Sequence, residues 1–343
     1  MILKKSKSNI INDINIEKGK RYRINIDMGR MHDFTDLKMP IEVISGKKDG
    51  PTIFICATIH GDEINGIEIV RKLLNLVEAK NICGKLIAIP IVNIFGFNDH
   101  SRYLPDRRDL NRCFPGLKNG SLASQLAYKF MQEIVLKSDI GIDIHSGSLH
   151  RFNCPQIRVD LSNKSNVDLA KTFNAPIIVN SNLRDGSLRH ACAVADIPII
   201  VYEGGEILRF DQNSVAIGLR GIFNVMHKIG MIEKIPDELI FKNKNPVFLA
   251  RGSSWIRAVQ SGIFSSNVHL GEKVKKSQII GSISNPFGDN KIEICSPEDG
   301  VVIGKTMMPL INKGDALIHI ATQKNSSEKD YSINEFHFND KND

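Results

Sequence analysis

The chain has 343 residues, 42% of them apolar and 24% charged, which puts it in the globular range with enough length for a sizeable core and a second module. Its formal net charge of +7 invites a nucleic-acid reading. The lysines are scattered, however, aromatics make up only 6% of the chain, and no basic stripe interleaves with stacking residues, so nucleic acid is excluded as the expected partner.

The amino-terminal segment carries basic residues but no apolar run of signal-peptide length, and no later segment reaches about 18 consecutive apolar residues. Cys56, Cys83, Cys113, Cys154, Cys192 and Cys295 include no C-x-x-C pair, which argues against a thiolate zinc site or a compact disulfide framework. Reduced thiols in a soluble cytoplasmic protein, with no membrane partner, are the expectation. Residues 1–40 read as an amino-terminal extension.

From Ile41 short apolar runs alternate with longer amphipathic ones. The strand PTIFICATIHG leads into a helical pattern over Glu63 to Glu78, and the strand KLIAIPIVN precedes a helix after Ser121, a good N-cap. Next come the strand DIGIDIH, a helix near Val167 to Phe173, the strand APIIVN, and a helix over Leu188 to Ala195. The strand IPIIVYE and a long helix over Val215 to Ile229 complete the series. Such alternation predicts an α/β domain, residues 41–240, with helices on both faces of its sheet. Arg151 to Val159 and Asn180 to Arg189 read as loops. After Pro236 the texture changes to short β-type segments punctuated by glycine, predicting a small all-β domain over 245–322 and a loosely ordered polar tail over 323–343.

The chemistry concentrates at strand ends, where open α/β sheets build ligand sites. His60-Gly61-Asp62-Glu63 stands where one strand ends and a helix begins, and His145 ends another strand in D-I-H-S-G. Either histidine alone reads as a hydrogen-bonded loop residue. Two imidazoles and one carboxylate together form a catalytic zinc set with a fourth position left for water. Cobalt, manganese or nickel suit similar donors. Between the two parts runs Ser101-Arg102-Tyr103-Leu104-Pro105-Asp106-Arg107-Arg108-Asp109-Leu110-Asn111-Arg112, whose guanidinium forks suit carboxylates and developing oxyanions, or simply pair with Asp106 and Asp109. Glu203 and Glu206, at the end of a third strand, are rival candidates for a general base. Arg158, Arg184 and Arg189 read first as surface residues, with recognition of an acidic or polar substrate tail as the alternative.

In order, H-G-D-E, D-L-N-R, D-I-H-S-G and E-G-G resemble the succinylglutamate desuccinylase/aspartoacylase family of zinc carboxypeptidase-like enzymes over about Ile41 to Gly230. The resemblance implies a mixed-sheet catalytic domain and one zinc per chain held by His60, Glu63 and His145. It also implies Glu203 as general base and Asn111 with Arg112 on the substrate carboxylate. Arg102 would polarise the scissile carbonyl, with Arg107 or Arg108 as alternatives because the stretch around them is long. The expected activity is hydrolysis of the amide bond in a small N-acylated amino acid or amine. A carboxypeptidase trimming peptides and a metal-binding scaffold without turnover are the competing readings.

The later run from His269 resembles a biotinyl/lipoyl-type barrel-sandwich, but Asp289 stands where a cofactor-bearing lysine belongs and Lys291 lies off the tip, which argues against a carrier role. In the resembled family such a β domain narrows access to the zinc cleft. Uncovered sheet edges or apolar helix faces leave room for a homo-oligomer.

Overall fold

The computed structural model describes residues 3–6, 8–240 and 247–323. The tail expected over 323–343 thus lies, after Gln323, outside the described residues, as does the connection over 241–246. After a small hairpin of β1 (Ile10–Ile11) and β2 (Ile14–Asn15), the chain forms β3 (Arg21–Arg30), β4 (Asp36–Ser45), β5 (Lys48–Ala57), α1 (Asn65–Leu76) and β6 (Cys83–Ile89). There follow α2 (Ile94–Asn98), α3 (Leu122–Glu133), β7 (Ile140–Gly147), β8 (Arg151–Val159), α4 (Lys164–Phe173), β9 (Ile177–Asn180), α5 (Leu188–Val194), β10 (Ile199–Glu206) and α6 (Gln212–Lys228).

Strands β6, β5, β7 and β10 run parallel and adjacent, and both of their faces are covered. Their near-continuous apolar runs follow from that double burial. In β5, Ile53, Ile55 and Ala57 pack with α1, α4 and α6, while Phe54 and Cys56 turn to the opposite cluster with α3 and α5. The same two-residue period sends Ile142 and Ile144 of β7 one way and leaves Asp143 and His145 on the other face. Strands β3 and β4 extend the sheet antiparallel beyond β6, so residues 21–40, read from sequence within an extension, carry sheet strands.

Arg151 to Val159, expected as a loop, is strand β8. Its period is hidden by Pro155 and by polar Asn153, Gln156 and Arg158. Pairing holds it in place: antiparallel to β10 on one side, and split between two neighbours on the other. Residues 156–159 pair with β9, which in turn pairs with β11 (Phe248–Ala250), while residues 151–153 pair with a strand from the end of the chain.

That strand belongs to the glycine-punctuated region, which forms β12 (Gly252–Arg257), β13 (Gly262–Ser266), β14 (Lys273–Val274), β15 (Ile279–Ser284), β16 (Ile292–Cys295), β17 (Gly300–Thr306), β18 (Leu310–Ile311) and β19 (Ala316–Thr322). Strands β12, β19 and β17 continue the main sheet, 13-stranded in all, and β17 joins it to β8. A separate four-stranded sheet, β16-β15-β13-β18, packs over the apolar cluster of Phe264, Ile280, Ile283, Val302, Leu317 and Ile318. The turn between β15 and β16 holds Asp289 and Lys291. No helix among the described residues is long and apolar enough to cross a membrane.

Candidate metal centre and its cleft

The carboxyl ends of β5, β7 and β10 meet on one edge of the sheet. Leaving β5, the chain turns through Thr58, whose φ of 57° is left-handed, and the Thr58 hydroxyl donates to the Pro90 carbonyl at 3.1 Å. Strained backbone of this kind is held only where its surroundings over-determine it. Gly61 makes the turn possible: a Cβ there would come within 1.9 Å of the Gly96 carbonyl carbon. The turn presents His60 and Glu63, and β7 presents His145; all three are buried.

One imidazole nitrogen from each histidine and one Glu63 oxygen lie within 4.8 Å of one another and could hold a metal ion. His60 Nδ1 is 2.7 Å from Glu63 Oε1 and His145 Nδ1 is 2.8 Å from Oε2, where the Ser146 amide also donates at 3.0 Å. The far imidazole nitrogens face carboxylates, His60 Nε2 at 3.1 Å from Asp109 and His145 Nε2 at 2.8 Å from Asp143. Such outer partners fix the tautomer that leaves the inner nitrogen free to ligate. The donor set therefore fits zinc in type and in support.

The three groups also act strongly on one another. Burial works against a charged His145, but Asp143 and Glu63 outweigh it and raise its pKa well above the usual range. Burial likewise opposes Glu63 ionisation, and the two histidines overcome it and hold the carboxyl well below its ordinary pKa.

The S-R-Y-to-D-L-N-R segment wraps the same centre. Arg102 donates to Glu63 at 3.2 Å and to Asp109 Oδ2 at 2.9 Å, so it faces the cleft with its charge partly balanced. Asp109 Oδ1 also accepts from the Asn111 amide at 2.8 Å, fixing the short turn over Leu110–Arg112. Asn111 and Arg112 line the cleft, and the Asn111 side-chain oxygen accepts from the Leu188 amide at 2.9 Å. Arg108 does not reach it: its side chain is 60% exposed and lies 3.8 Å from Asp106, whose other role is to cap α3 through the Ala123 amide. Arg107 is likewise absent from the lining.

Glu203 stands directly opposite His145 in the parallel β7–β10 pair and shares its face. Asn153 Nδ2 donates to Glu203 Oε2 at 2.7 Å, and Arg158 Nε lies 3.3 Å from Oε1. Its rival Glu206 is off the cleft, with its carboxylate beside His150 at 3.4 Å and Arg209 at 3.6 Å. Asn65 braces these strand ends, donating to Ser146 Oγ at 3.1 Å and to the Glu206 carbonyl at 3.0 Å.

The cleft, about 280 Å³, takes in more than the predicted residues. Arg158, Arg184 and Arg189, read first as surface residues, all line it, together with Arg151 and Trp255. Trp255 arrives along a cross-strand row: Trp255 opposite His319, His319 opposite Gly304, and Gly304 opposite Asn153. A Cβ on Gly304 would sit 3.0 Å from Asn153 Oδ1 and 3.4 Å from the edge of the indole, so glycine leaves the ring its place. His319 stacks on Trp255 with centroids 4.5 Å apart, and burial followed by the Arg158 and Arg151 charges pushes its pKa down to about 3, which keeps it neutral. The D-x-H spacing of Asp143 and His145 is a signal that marks Asp143 from sequence. Nothing local marks Asn65, Asn153, Arg151 or Trp255.

The succinylglutamate desuccinylase/aspartoacylase catalytic domain matches residues 49–229, more than half of the chain. The N-alpha-acetyl-L-2,4-diaminobutyric acid deacetylase of Halomonas elongata is 28% identical over 297 residues, covering 82% of this chain and 85% of that protein. Among solved structures, the succinylglutamate desuccinylase/aspartoacylase from Rhodobacter sphaeroides superposes with a TM-score of 0.81 at 23% identity, over 93% of this chain and 100% of that one. The product-bound ectoine utilization protein EutE (DoeB) from Ruegeria pomeroyi gives 0.80 at 23% identity, over 90% and 98%. At such identities the structures speak for the fold.

Proposed function

The chain belongs to the succinylglutamate desuccinylase/aspartoacylase family, and from that membership we propose that it is a zinc-dependent deacylase that hydrolyses the amide bond of a small N-acylated amino acid. The observation that carries the reading is the convergence of His60, Glu63 and His145 in one cleft with Glu203, which stands opposite His145 on the adjacent strand.

His60, Glu63 and His145 would hold the zinc, which would supply Lewis acidity and acidify water at the site toward a pKa of about 7. The protein's own groups do the rest. Asn111 and Arg112 bind the substrate carboxylate, and Arg102 faces the scissile carbonyl and stabilises its developing negative charge. Glu203 takes the proton from the attacking water and returns it to the leaving amine, while Asn153 and Arg158 hold its carboxylate toward the cleft. The C-terminal strands, read as a barrel-sandwich without a carrier lysine, wall the cleft through Trp255 and favour a small substrate over a peptide. Cysteines without disulfides agree with a cytoplasmic setting.

Metal content by mass spectrometry, with amine release from N-acetyl and N-succinyl amino acids and from short peptides, tests the proposal. One zinc per chain, lost together with deacylation in His60→Ala, is the expected result. Zinc without turnover of any amide points to the scaffold reading, and cleavage of peptides alone points to the carboxypeptidase.

A further inference from the structure

Behind the metal centre stands a carboxylate with one oxygen accounted for. Asp143 is fully buried, and its Oδ2 faces His145 Nε2 at 2.8 Å. A carboxylate taken out of water is costly unless its other lone pairs also find donors. Strand register decides which residues can supply one. In the parallel pairs Asp143 lies opposite Val201 of β10 on one side and Cys56 of β5 on the other. The valine side chain offers no donor, and the face is closed by the apolar cluster that includes Leu188, Ala191 and Cys192 of α5.

Cys56 fills the remaining position. Its side chain is fully buried, and Sγ lies 3.4 Å from Asp143 Oδ1, within reach of a thiol hydrogen bond. Among the described residues, no other group donates to that oxygen. Burial first, and then the Asp143 charge, push the pKa of the thiol well above its ordinary value, so the sulfur keeps its proton and acts as the donor. A thiol is a weak and uncharged donor, so it satisfies Oδ1 while leaving the negative charge of Asp143 directed at the imidazole. Cys192 provides an internal contrast. It is equally buried in the same cluster, and burial followed by the Asp143 charge likewise raises its pKa, yet among the described residues it makes no hydrogen bond to the carboxylate.

We infer that Cys56 is a positioning residue for the metal centre: its thiol donates to Asp143 Oδ1 and turns the carboxylate so that Oδ2 holds the His145 imidazole with Nδ1 toward the metal. The contacts run from β5 to β7, Cys56 to Asp143 to His145. Strand register sets the first link, and the two-residue period of β7, which puts Asp143 and His145 on one face, sets the second. This inference rests on the metal centre of the proposed function.

The thiol itself carries the first readout, because an S–H stretch moves to lower frequency when the group donates a hydrogen bond. Infrared difference spectra of the full-length wild type against Cys56→Ser and against Cys192→Ala isolate the two bands, and the Cys56 band should lie below the Cys192 band. The second readout is zinc affinity, measured by competition with a zinc-binding dye, with circular dichroism confirming that each variant is folded. Cys56→Ala should bind zinc about three- to tenfold more weakly, less than the loss of about 10- to 100-fold typical when the partner touching a liganding histidine is removed. Cys56→Ser, which puts a hydroxyl donor in place of the thiol, should return the affinity to within about twofold of wild type. Cys192→Ala should leave it unchanged. Bands at one frequency, or wild-type affinity in Cys56→Ala, overturn the inference. Equal weakening in Cys56→Ala and Cys192→Ala, or a serine that restores nothing, overturns it as well, because packing and not the hydrogen bond would then carry the effect. A displaced Cys56 band in a wild-type protein that takes up no zinc overturns the positioning role together with the metal centre, while the bond itself stands.

Discussion

On the proposed function, Asp109 is the residue whose replacement separates metal support from substrate activation. Its Oδ1 takes His60 Nε2 at 3.1 Å and the Asn111 amide at 2.8 Å, while Oδ2 takes Arg102 at 2.9 Å. Asp109→Ala removes all three contacts. Loss of the carboxylate behind a liganding histidine typically weakens metal binding by about 10- to 100-fold, or roughly 1.4–2.8 kcal/mol. Turnover should fall at least as far, because Arg102 and the Asn111 turn are released together. Asp109→Asn is more selective. Its oxygen retains the contacts to His60 and Asn111, but its amide presents a donor to the Arg102 guanidinium. The asparagine variant should therefore keep zinc affinity within about threefold of wild type while kcat/KM falls by about 100-fold, the range expected when one oxyanion-stabilising donor is displaced. Competition titration with a zinc-binding dye measures the first quantity and amine release at saturating zinc the second. If Asp109→Asn loses zinc as completely as Asp109→Ala, or if both variants turn over normally, the assignment of the two oxygens to separate tasks is wrong.

Three further outcomes are expected. Glu203→Gln should bind one zinc per chain and lose about 100- to 10,000-fold in kcat, the usual contribution of a positioned general base; near-normal turnover would remove Glu203 from that role. Gly61→Ala, whose Cβ would lie 1.9 Å from backbone at Gly96, should unfold at clearly lower denaturant or fail to load zinc, and wild-type stability with full zinc content would contradict the packing described. For His319, the folded pKa of about 3 lies below the value of about 6.5 expected in the unfolded chain, so the unfolded state binds more protons between those limits. Its contribution to stability is complete above about pH 6.5 and is lost as pH falls toward 3, by at most about 1.4 kcal/mol per pH unit. His319→Phe should flatten the dependence of denaturant stability on pH between pH 5 and 7, and an unchanged slope would mean that His319 is not held neutral.

The sequence by itself determined the parallel β/α core and the strand-end positions of His60, Glu63, His145 and Glu203. Both are written in local patterns, because a doubly covered strand is apolar throughout and the chain leaves it at its carboxyl end with polar residues. The same locality left Arg102, Arg107 and Arg108 open as alternatives within one charged stretch, and Glu203 and Glu206 open across a two-residue gap. Tertiary structure places them differently: Arg102 turns to Glu63 and Arg108 to Asp106, while Glu203 shares a face with His145 and Glu206 lies beside His150. It also decided that Arg151 to Val159 is a strand, because its pairing with β10, β9 and β17 outweighs a sequence interrupted by Pro155 and polar residues. The row from Asn153 through Gly304 and His319 to Trp255 brings Asn153 into line with residues about a hundred or more positions away from it, by strand register alone. Register is a property of the assembled sheet, so the wall of the cleft, and with it the charge offered to a substrate, exists only once distant strands have paired.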